Sequence, residues 1–233
     1  MTRAPAFPGF PDETFRFLRG LSRHNDKDWF ERHRAEYDAG YVEPAKAFVA
    51  AMGPRLRAIA PEVGFEPRVN GSIFRIHRDV RFSKDKTPYK DHLDLWFWIG
   101  ERRGWDTPGF FFRMFHDRLL LGAGMHRFDK SPLDRYRRAV LADRTGRALA
   151  GLCDEVRAAG YSIGGATRKT VPRGLDPAHP RAALLLHEGL WAERDVTISD
   201  EPRSPAFADS CASHWAACWP IARWIVRALA TDG

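Results

Sequence analysis

One twenty-residue segment constrains the fold more than any other part of the chain: residues 73–92, IFRIHRDVRFSKDKTPYKDH. Apolar side chains at 74, 76, 80 and 82 alternate with charged or imidazole side chains at 75, 77, 79 and 81. An alternation with a period of two is typical of a strand that buries one face. We therefore predict a strand over residues 73–82, and the rest of the chain must supply the sheet that it joins.

Arg78 breaks this alternation, because its position in the strand directs it to the apolar face. A buried charge without a partner is costly, so the sequence predicts that Arg78 meets a carboxylate, a group of backbone carbonyls or an anionic ligand. A buried acid such as Asp79 or Asp94 is the purely structural alternative. The alternation ends at Ser83, and the residues from there to Pro88 are typical of a loop.

The same segment is strongly basic, since its six bases and three acids give a formal charge of 6 − 3 = +3. The whole chain has 30 arginines and only 7 lysines, yet Lys84, Lys86 and Lys90 lie within seven residues. Arginine contacts anions through a planar group and lysine through a compact charge, so together they favour a phosphate or carboxylate ligand. We predict a basic pocket at the end of the strand, to which residues 169–174 add charge if the fold brings them near. The predicted ligand-binding residues are Arg75, Arg78, Arg81, Lys84, Lys86, Tyr89, Lys90, Lys169 and Arg173.

His77 and Asp79 are the candidate catalytic residues of this segment. Neighbouring side chains on one face of a strand can act as a base and its orienting carboxylate. A surface ion pair between Asp79 and Arg81 is an equally simple interpretation. Three further histidines also suggest metal ligation: His92, His116 and His126. However, no third ligand stands at a diagnostic spacing and HExxH is absent, so we predict hydrogen-bonding roles, no metal site and no particular cofactor.

The charge of the whole chain favours anionic partners. A formal net charge of +7 and a pI near 9.6 are compatible with binding of nucleotides, phosphorylated metabolites or nucleic acid. We expect first a small phosphate- or carboxylate-bearing ligand, and the sequence does not decide whether a reaction accompanies its binding. The alternative is a non-enzymatic interaction module for nucleic acid or protein. In that case Trp96, Trp98 and Tyr89 are the candidate stacking platforms for bases.

The cysteines indicate a reducing compartment. Cys153, Cys211 and Cys218 are an odd number without CxxC spacing. If Cys211 and Cys218 share a helix they lie about 10 Å apart, beyond the reach of a disulfide. The first ten residues lack the apolar stretch of a secretion signal, and no apolar run approaches the length of a membrane span. We expect a soluble cytoplasmic protein without a membrane partner.

Periodicity along the chain predicts an α+β protein. Helices are expected from N-caps at Asp12 and Asp26 and over residues 43–59, and later over 131–141, 144–159, 180–188 and from 204 onward. Strands are expected at 93–99, 109–116 and 119–122, with a short strand near Thr170 and an edge strand at 190–198. We predict one domain, 1–233. Its antiparallel sheet of about four or more strands (70–125) carries helices from 11–60 and 131–230.

Four stretches of the chain resemble one known family. The run from Phe74 to Lys90 is similar to the signature of the family catalogued as domain of unknown function 2461. Three other stretches are similar to it as well: residues 10–37 with the NDKDWF core at 25–30, GAG at 122–124, and KTVPRG at 169–174. Together they cover most of the chain. The resemblance implies a single soluble domain of mixed helix and sheet, but no activity and no catalytic residues.

Overall fold

The computed structural model describes residues 6–101, 104 and 106–230, so the first five residues of the stretch considered for a secretion signal lie outside it. The first helices are α1 (Asp12–Arg23), α2 (Lys27–Arg32), α3 (Arg34–Tyr37) and α4 (Glu43–Ile59), with a π-helical turn at Asp38–Val42. The later helices are α5 (Lys130–Leu141), α6 (Asp143–Ala158) and α7 (Phe207–Ala230), with 3-10 turns at Ala182–Leu186 and Glu201–Arg203.

Six strands form an antiparallel sheet, and with helices before and after them the fold is α+β, as predicted. The strands are β1 (Val63–Gly64), β2 (Leu93–Ile99), β3 (Gly109–Met114), β4 (Arg118–Met125), β5 (Ser162–Ala166) and β6 (His187–Thr197). Their order in the sheet is β1-β2-β3-β4-β6-β5. The chain turns tightly from β3 into β4, where the Phe115 N–H donates to the Arg118 carbonyl at 2.8 Å, so the two strands form a hairpin.

The chain divides into two compact units, and four strands contribute residues to both. The first unit holds residues 1–97, 111–121 and 195–213, and the second holds 98–110, 122–194 and 214–233. The expectation of a single domain stays a prediction.

The predicted strand over residues 73–82 is wrong. The segment is extended but irregular, with single antiparallel bridges from Ile73 to Leu95 and from His77 to Tyr89. Its apolar face is also incomplete, since Ile76 is buried whereas Phe82 is 96% exposed. Of the four apolar positions in the alternation, 74, 76, 80 and 82, only Ile76 is therefore buried.

Three smaller expectations are corrected in the same way. Asp12 is the first residue of α1 rather than its N-cap, and its carboxylate accepts from Arg203 Nε at 2.6 Å. The short strand expected near Thr170 lies earlier, in β5, which pairs with β6. Because β5 covers one side of β6, β6 is not an edge strand. Asp26 does cap α2 as predicted, accepting from the Trp29 N–H at 2.8 Å.

An aromatic core fills the first unit. Phe10 and Phe48 contact each other and also contact Phe112 of β3 and Phe207 at the start of α7. Fully burying side chains of this size contributes about 1.5–3 kcal/mol each. These contacts join the beginning of the chain to β3 and to α7 within the unit.

In the second unit, the turn between α5 and α6 is closed by a buried arginine. Arg181 donates from Nε to the Val140 carbonyl at 2.8 Å and from its terminal nitrogen to the Leu141 carbonyl at 2.9 Å. These are carbonyls at the end of α5 that a helix leaves unpaired. Gly146 of α6 lies so close that a Cβ there meets the Val140 carbonyl at 2.0 Å, so the crossing of the two helices requires glycine.

Two glycines in α6 therefore respond in opposite directions to the same substitution. We expect Gly146→Ala to destabilise the protein by about 1–3 kcal/mol, because the added methyl overpacks the contact with α5. Gly151 is exposed with open space around it, so Gly151→Ala should stabilise by about 0.5–1 kcal/mol through helix propensity. Urea denaturation of both variants checks this, and equal effects of one sign would contradict the packing described.

Candidate functional site

The basic segment is anchored at its C-terminal end by Asn25, just before α2. The Asn25 side chain accepts from the Tyr89 N–H at 3.0 Å and donates to the Tyr89 carbonyl at 2.9 Å, as a paired strand would. Phe30 of α2 stacks on the Tyr89 ring with 4.3 Å between centroids, and contacts the His77 ring edge-on. Two of the stretches that resemble the family are thus held together by direct contact, and Tyr89 is buried.

Arg78 closes the loop that follows. It donates to the Asp85 carboxylate at 2.5 Å, and to both the carbonyl and the hydroxyl oxygen of Thr87. Asp85 in turn accepts from the Thr87 N–H at 3.0 Å. The sequence correctly required a partner for Arg78. That partner is Asp85, neither of the two acids considered, and it lies at the surface with Arg78 half-buried.

His77 and Asp79 are not engaged with each other in the way that a base and its orienting carboxylate are. Asp79 directs its two oxygens to Arg81, at 2.9 Å from Nε and 2.6 Å from the terminal nitrogen. These hydrogen bonds are the main reason that the pKa of Asp79 falls to about 2. The geometry corresponds to the ion pair that the sequence offered as the alternative.

We call residues 75–86 the basic loop. Arg75, Lys84 and Lys86 are all exposed on it. Lys86 donates to the Val80 carbonyl at 2.9 Å, while Arg75 and Lys84 form no ion pair or side-chain hydrogen bond within the described part of the chain. The tip of the loop carries Phe82, beside the Arg81 guanidinium at 5.8 Å from the ring centroid. Phe82 is the one strongly exposed large apolar side chain among the residues described.

Lys90 lies outside the basic loop and belongs to a buried ion cluster around Asp94 of β2. Asp94 is 6% exposed and accepts from Lys90 Nζ at 3.0 Å and from Arg113 Nε of β3 at 2.6 Å. His92 Nε2 lies 3.3 Å from the same carboxylate. Three cationic side chains thus converge on one buried acid.

His92 connects this cluster to a second carboxylate. Its Nδ1 lies 2.9 Å from Asp91, and its Nε2 faces Asp94. Burial by itself lowers the pKa of His92, but hydrogen bonds to Asp91 and Asp94 outweigh burial and raise it. Burial raises the pKa of Asp94, yet the hydrogen bonds and charges of His92 and Arg113 together hold it well below its usual range. A protonated His92 between two carboxylates fits both directions.

A cleft of about 490 Å³ in the first unit opens beside this cluster. Asp91 lines it together with the turn between β3 and β4, where His116 Nδ1 lies 3.0 Å from Asp117. Arg118 stands over the Phe115 ring at 4.6 Å and reaches Asp195 at 3.4 Å. The complete lining is Ser22, Asp91, Phe115, His116, Asp117, Arg118 and Thr197. Two carboxylates, Asp91 and Asp117, line the cleft beside one arginine, so the cleft does not provide the basic pocket that the sequence predicts.

The other residues singled out in the sequence are distributed elsewhere. Lys169 and Arg173 are exposed and belong to the second unit, whereas the other predicted ligand-binding residues belong to the first. Trp96 and Trp98 are buried, with 2% and 6% exposure, and do not offer a surface for stacking. Within the described ranges, no group of three or more His, Cys, Asp or Glu is placed to hold a metal ion.

Sequence reasoning missed the roles of Asn25, Phe82 and Arg113. Asn25 and Arg113 act through contacts distant in sequence, so the residues next to them do not reveal their roles. A signal for Arg113 does exist, because β2 and β3 are apolar strands that each contain one charged residue, Asp94 and Arg113. Opposite charges on adjacent strands are candidates for a cross-strand pair.

Comparison with known proteins identifies the family of the chain. The family model DUF2461, described as a conserved hypothetical protein, matches residues 13–224. The chain therefore belongs to the domain of unknown function 2461 family, as its motifs indicated. No curated protein and no solved structure matches it significantly. Among the residues described, no helix is both long and apolar enough to cross a membrane.

The ion cluster predicts a specific pH dependence of stability. The raised pKa of His92 means that its contribution is fully present below the unfolded-state pKa of about 6.5, and is lost as the pH rises through the folded-state pKa. We expect the free energy of unfolding to decrease more for the wild type than for His92→Gln between about pH 6 and about pH 9. Urea denaturation at both pH values measures the difference.

The matched control for that experiment is His77→Gln, which alters an exposed histidine with no ion pair in the described part of the chain. This variant should retain the wild-type pH dependence. If His92→Gln follows the wild type across the same range, the imidazolium bridge between Asp91 and Asp94 is refuted.

Proposed function

We propose that the basic loop binds a phosphate-bearing anion through Arg75, Lys84 and Lys86. The observation that carries this proposal is the distribution of partners among the bases of residues 73–92. Arg78, Arg81 and Lys90 each have a carboxylate partner, Asp85, Asp79 and Asp94 respectively. Of the six bases, 6 − 3 = 3 therefore have no ion-pair partner among residues 6–101, 104 and 106–230, and all three are exposed. These three supply exposed positive charge that no carboxylate among the described residues binds in an ion pair.

The loop that carries these bases is held in shape before any ligand arrives. Arg78 fixes its two sides through Asp85 and Thr87, and Asn25 fixes the backbone where the segment returns to β2. Binding to a preformed loop avoids part of the cost of ordering it, which leaves more of the interaction free energy for affinity.

Phosphate suits these residues better than carboxylate does. Two of the three bases are lysines, which act as compact point charges, and a phosphate group offers more anionic oxygens to such charges than a carboxylate. Charge-assisted hydrogen bonds of this kind contribute about 1.5–3 kcal/mol each. We assign binding rather than catalysis to the loop, because Asp79 is engaged with Arg81 instead of orienting His77.

We also propose that the protein works in the cytoplasm. The support for this is the state of its cysteines: Cys153, Cys211 and Cys218 are all free and buried. Burial raises the pKa of the Cys153 thiol to about 11 and that of the Cys218 thiol to about 12, so both are protonated near neutral pH. Inert, unpaired thiols are typical of proteins in a reducing compartment.

The test of the phosphate proposal is a triple variant, Arg75→Gln, Lys84→Gln and Lys86→Gln. Pyrophosphate and tripolyphosphate should stabilise the wild type in a thermal-shift assay, by about 2.7 kcal/mol at 100 times the dissociation constant. Because three charge-assisted contacts are lost, we expect the triple variant to bind at least about tenfold more weakly, which is about 1.4 kcal/mol.

A matched control removes three exposed bases outside the loop: Lys130→Gln, Arg144→Gln and Arg223→Gln. It changes the net charge by the same amount and should bind these anions as the wild type does. If both triple variants bind the anions equally weakly, overall charge alone explains the loss and the proposal is overturned. Unchanged binding by the loop variant would overturn it as well.

A further inference from the structure

Phe82 is not explained by the fold. Its side chain is 96% exposed at the tip of the basic loop, although a phenylalanine is normally buried. The loop is closed by Arg78, Asp85 and Thr87, and none of these contacts involves the Phe82 ring. A strongly exposed aromatic ring on a loop held in shape is a feature of a contact surface.

The surroundings of Phe82 are basic on both sides along the chain. Arg81 precedes it and lies 5.8 Å from the ring centroid, and Lys84 and Lys86 follow it. Arg81 is itself oriented by two hydrogen bonds to Asp79. The tip of the loop thus presents an aromatic ring with a guanidinium beside it and further positive charges close by in sequence.

We propose that the ligand of the basic loop is single-stranded nucleic acid, with Phe82 stacking on a base while Arg75, Lys84 and Lys86 contact the phosphates. This inference rests on the proposed function, since it names the molecule that carries the phosphate groups. Aromatic rings combined with a basic surface are the usual means of binding single strands, because every base offers a flat face. Phe82 takes the role that the sequence assigned to Trp96, Trp98 and Tyr89, which are buried.

A single strand fits the loop better than its two main competitors. In a duplex the base faces are already stacked on each other, so an exposed ring finds no partner without paying to unstack them. Stable attachment to a membrane takes a full acyl chain beside a basic patch, and the Phe82 ring, the one strongly exposed large apolar side chain in the described part of the chain, buries far less apolar surface than such a chain.

The experiment measures fluorescence anisotropy of a labelled short oligothymidylate and of an abasic oligonucleotide of the same length, at fixed salt. The abasic strand keeps the phosphates and removes the bases. We expect the wild type to bind the oligothymidylate about tenfold more tightly than the abasic strand, within the range known for one stacked base. Phe82→Ala should lose that preference and bind both strands equally.

Two further variants separate stacking from general apolar contact. Phe82→Leu keeps an apolar side chain without a flat ring and should behave as Phe82→Ala does. Phe82→Trp should bind at least as tightly as the wild type, and the fluorescence of the added tryptophan, taken as the difference from the wild type, should be quenched on binding. Since Phe82 makes no packing contact in the loop interior, all three variants should fold, and circular dichroism verifies this. Wild-type binding by Phe82→Leu, or no preference for bases in the wild type, would overturn the stacking role.

The same series of variants distinguishes the nucleic-acid inference from the proposal that the basic loop binds phosphate. If pyrophosphate binding depends on Arg75, Lys84 and Lys86 but Phe82 has no effect with either strand, only the nucleic-acid inference fails. If no phosphate probe binds at all, both fail. Phe82-dependent binding to phosphatidylserine vesicles with no binding to either strand would overturn the inference in favour of a membrane surface.

Discussion

The buried carboxylate of Asp94 is the constraint on which the arrangement of this region depends. An ionised acid that is 6% exposed must be compensated, and the first unit does this with Lys90, His92 and Arg113. The contact with Arg113 fixes β2 against β3. The contacts with Lys90 and His92 fix the path by which the basic segment enters β2. Of the three clustered lysines, Lys90 is consequently held at Asp94, whereas Lys84 and Lys86 remain exposed.

The second constraint acts on Tyr89, the residue just before Lys90. Asn25 pairs with the backbone of Tyr89, and Phe30 stacks on its ring, so the basic segment is tied to the start of α2. Between these anchors and Ile73, Arg78 closes the loop through Asp85 and Thr87. Two of the four stretches that resemble the family, residues 10–37 and 74–90, therefore meet at this loop, and the second of them also carries the exposed side chains Arg75, Lys84, Lys86 and Phe82.

Features that depend on local periodicity could be predicted from the sequence. The helix over 43–59 and the strand over 93–99 have the predicted bounds, and Asp26 caps its helix, because amphipathic spacing and capping chemistry act within a few residues. The strand over 73–82 failed for a related reason. Alternation records which side chains are apolar, but whether a neighbouring strand pairs along the whole segment is decided by the rest of the fold.

For the candidate site, the sequence predicted the basic segment and the need of Arg78 for a partner, but not the partners. Asp85, Asp94 and Arg113 are chosen by three-dimensional proximity, and one of these pairs, Asp94 with Arg113, spans two strands. The partners matter for the proposed function because they decide which bases remain available to a ligand. Lys90 belongs to the same lysine cluster as Lys84 and Lys86, and its engagement with Asp94 is visible only in the structure.

The most direct test of the central claim, that the basic loop and not the neighbouring cleft is the binding surface, is a chemical-shift titration. Isotope-labelled protein is titrated with a short oligothymidylate, and the backbone amide signals are followed. If the basic loop is the binding surface, the signals of residues 75 and 81–86 move, while those of His116, Asp117 and Arg118 in the cleft stay in place. Movement in the cleft with a silent loop would contradict it.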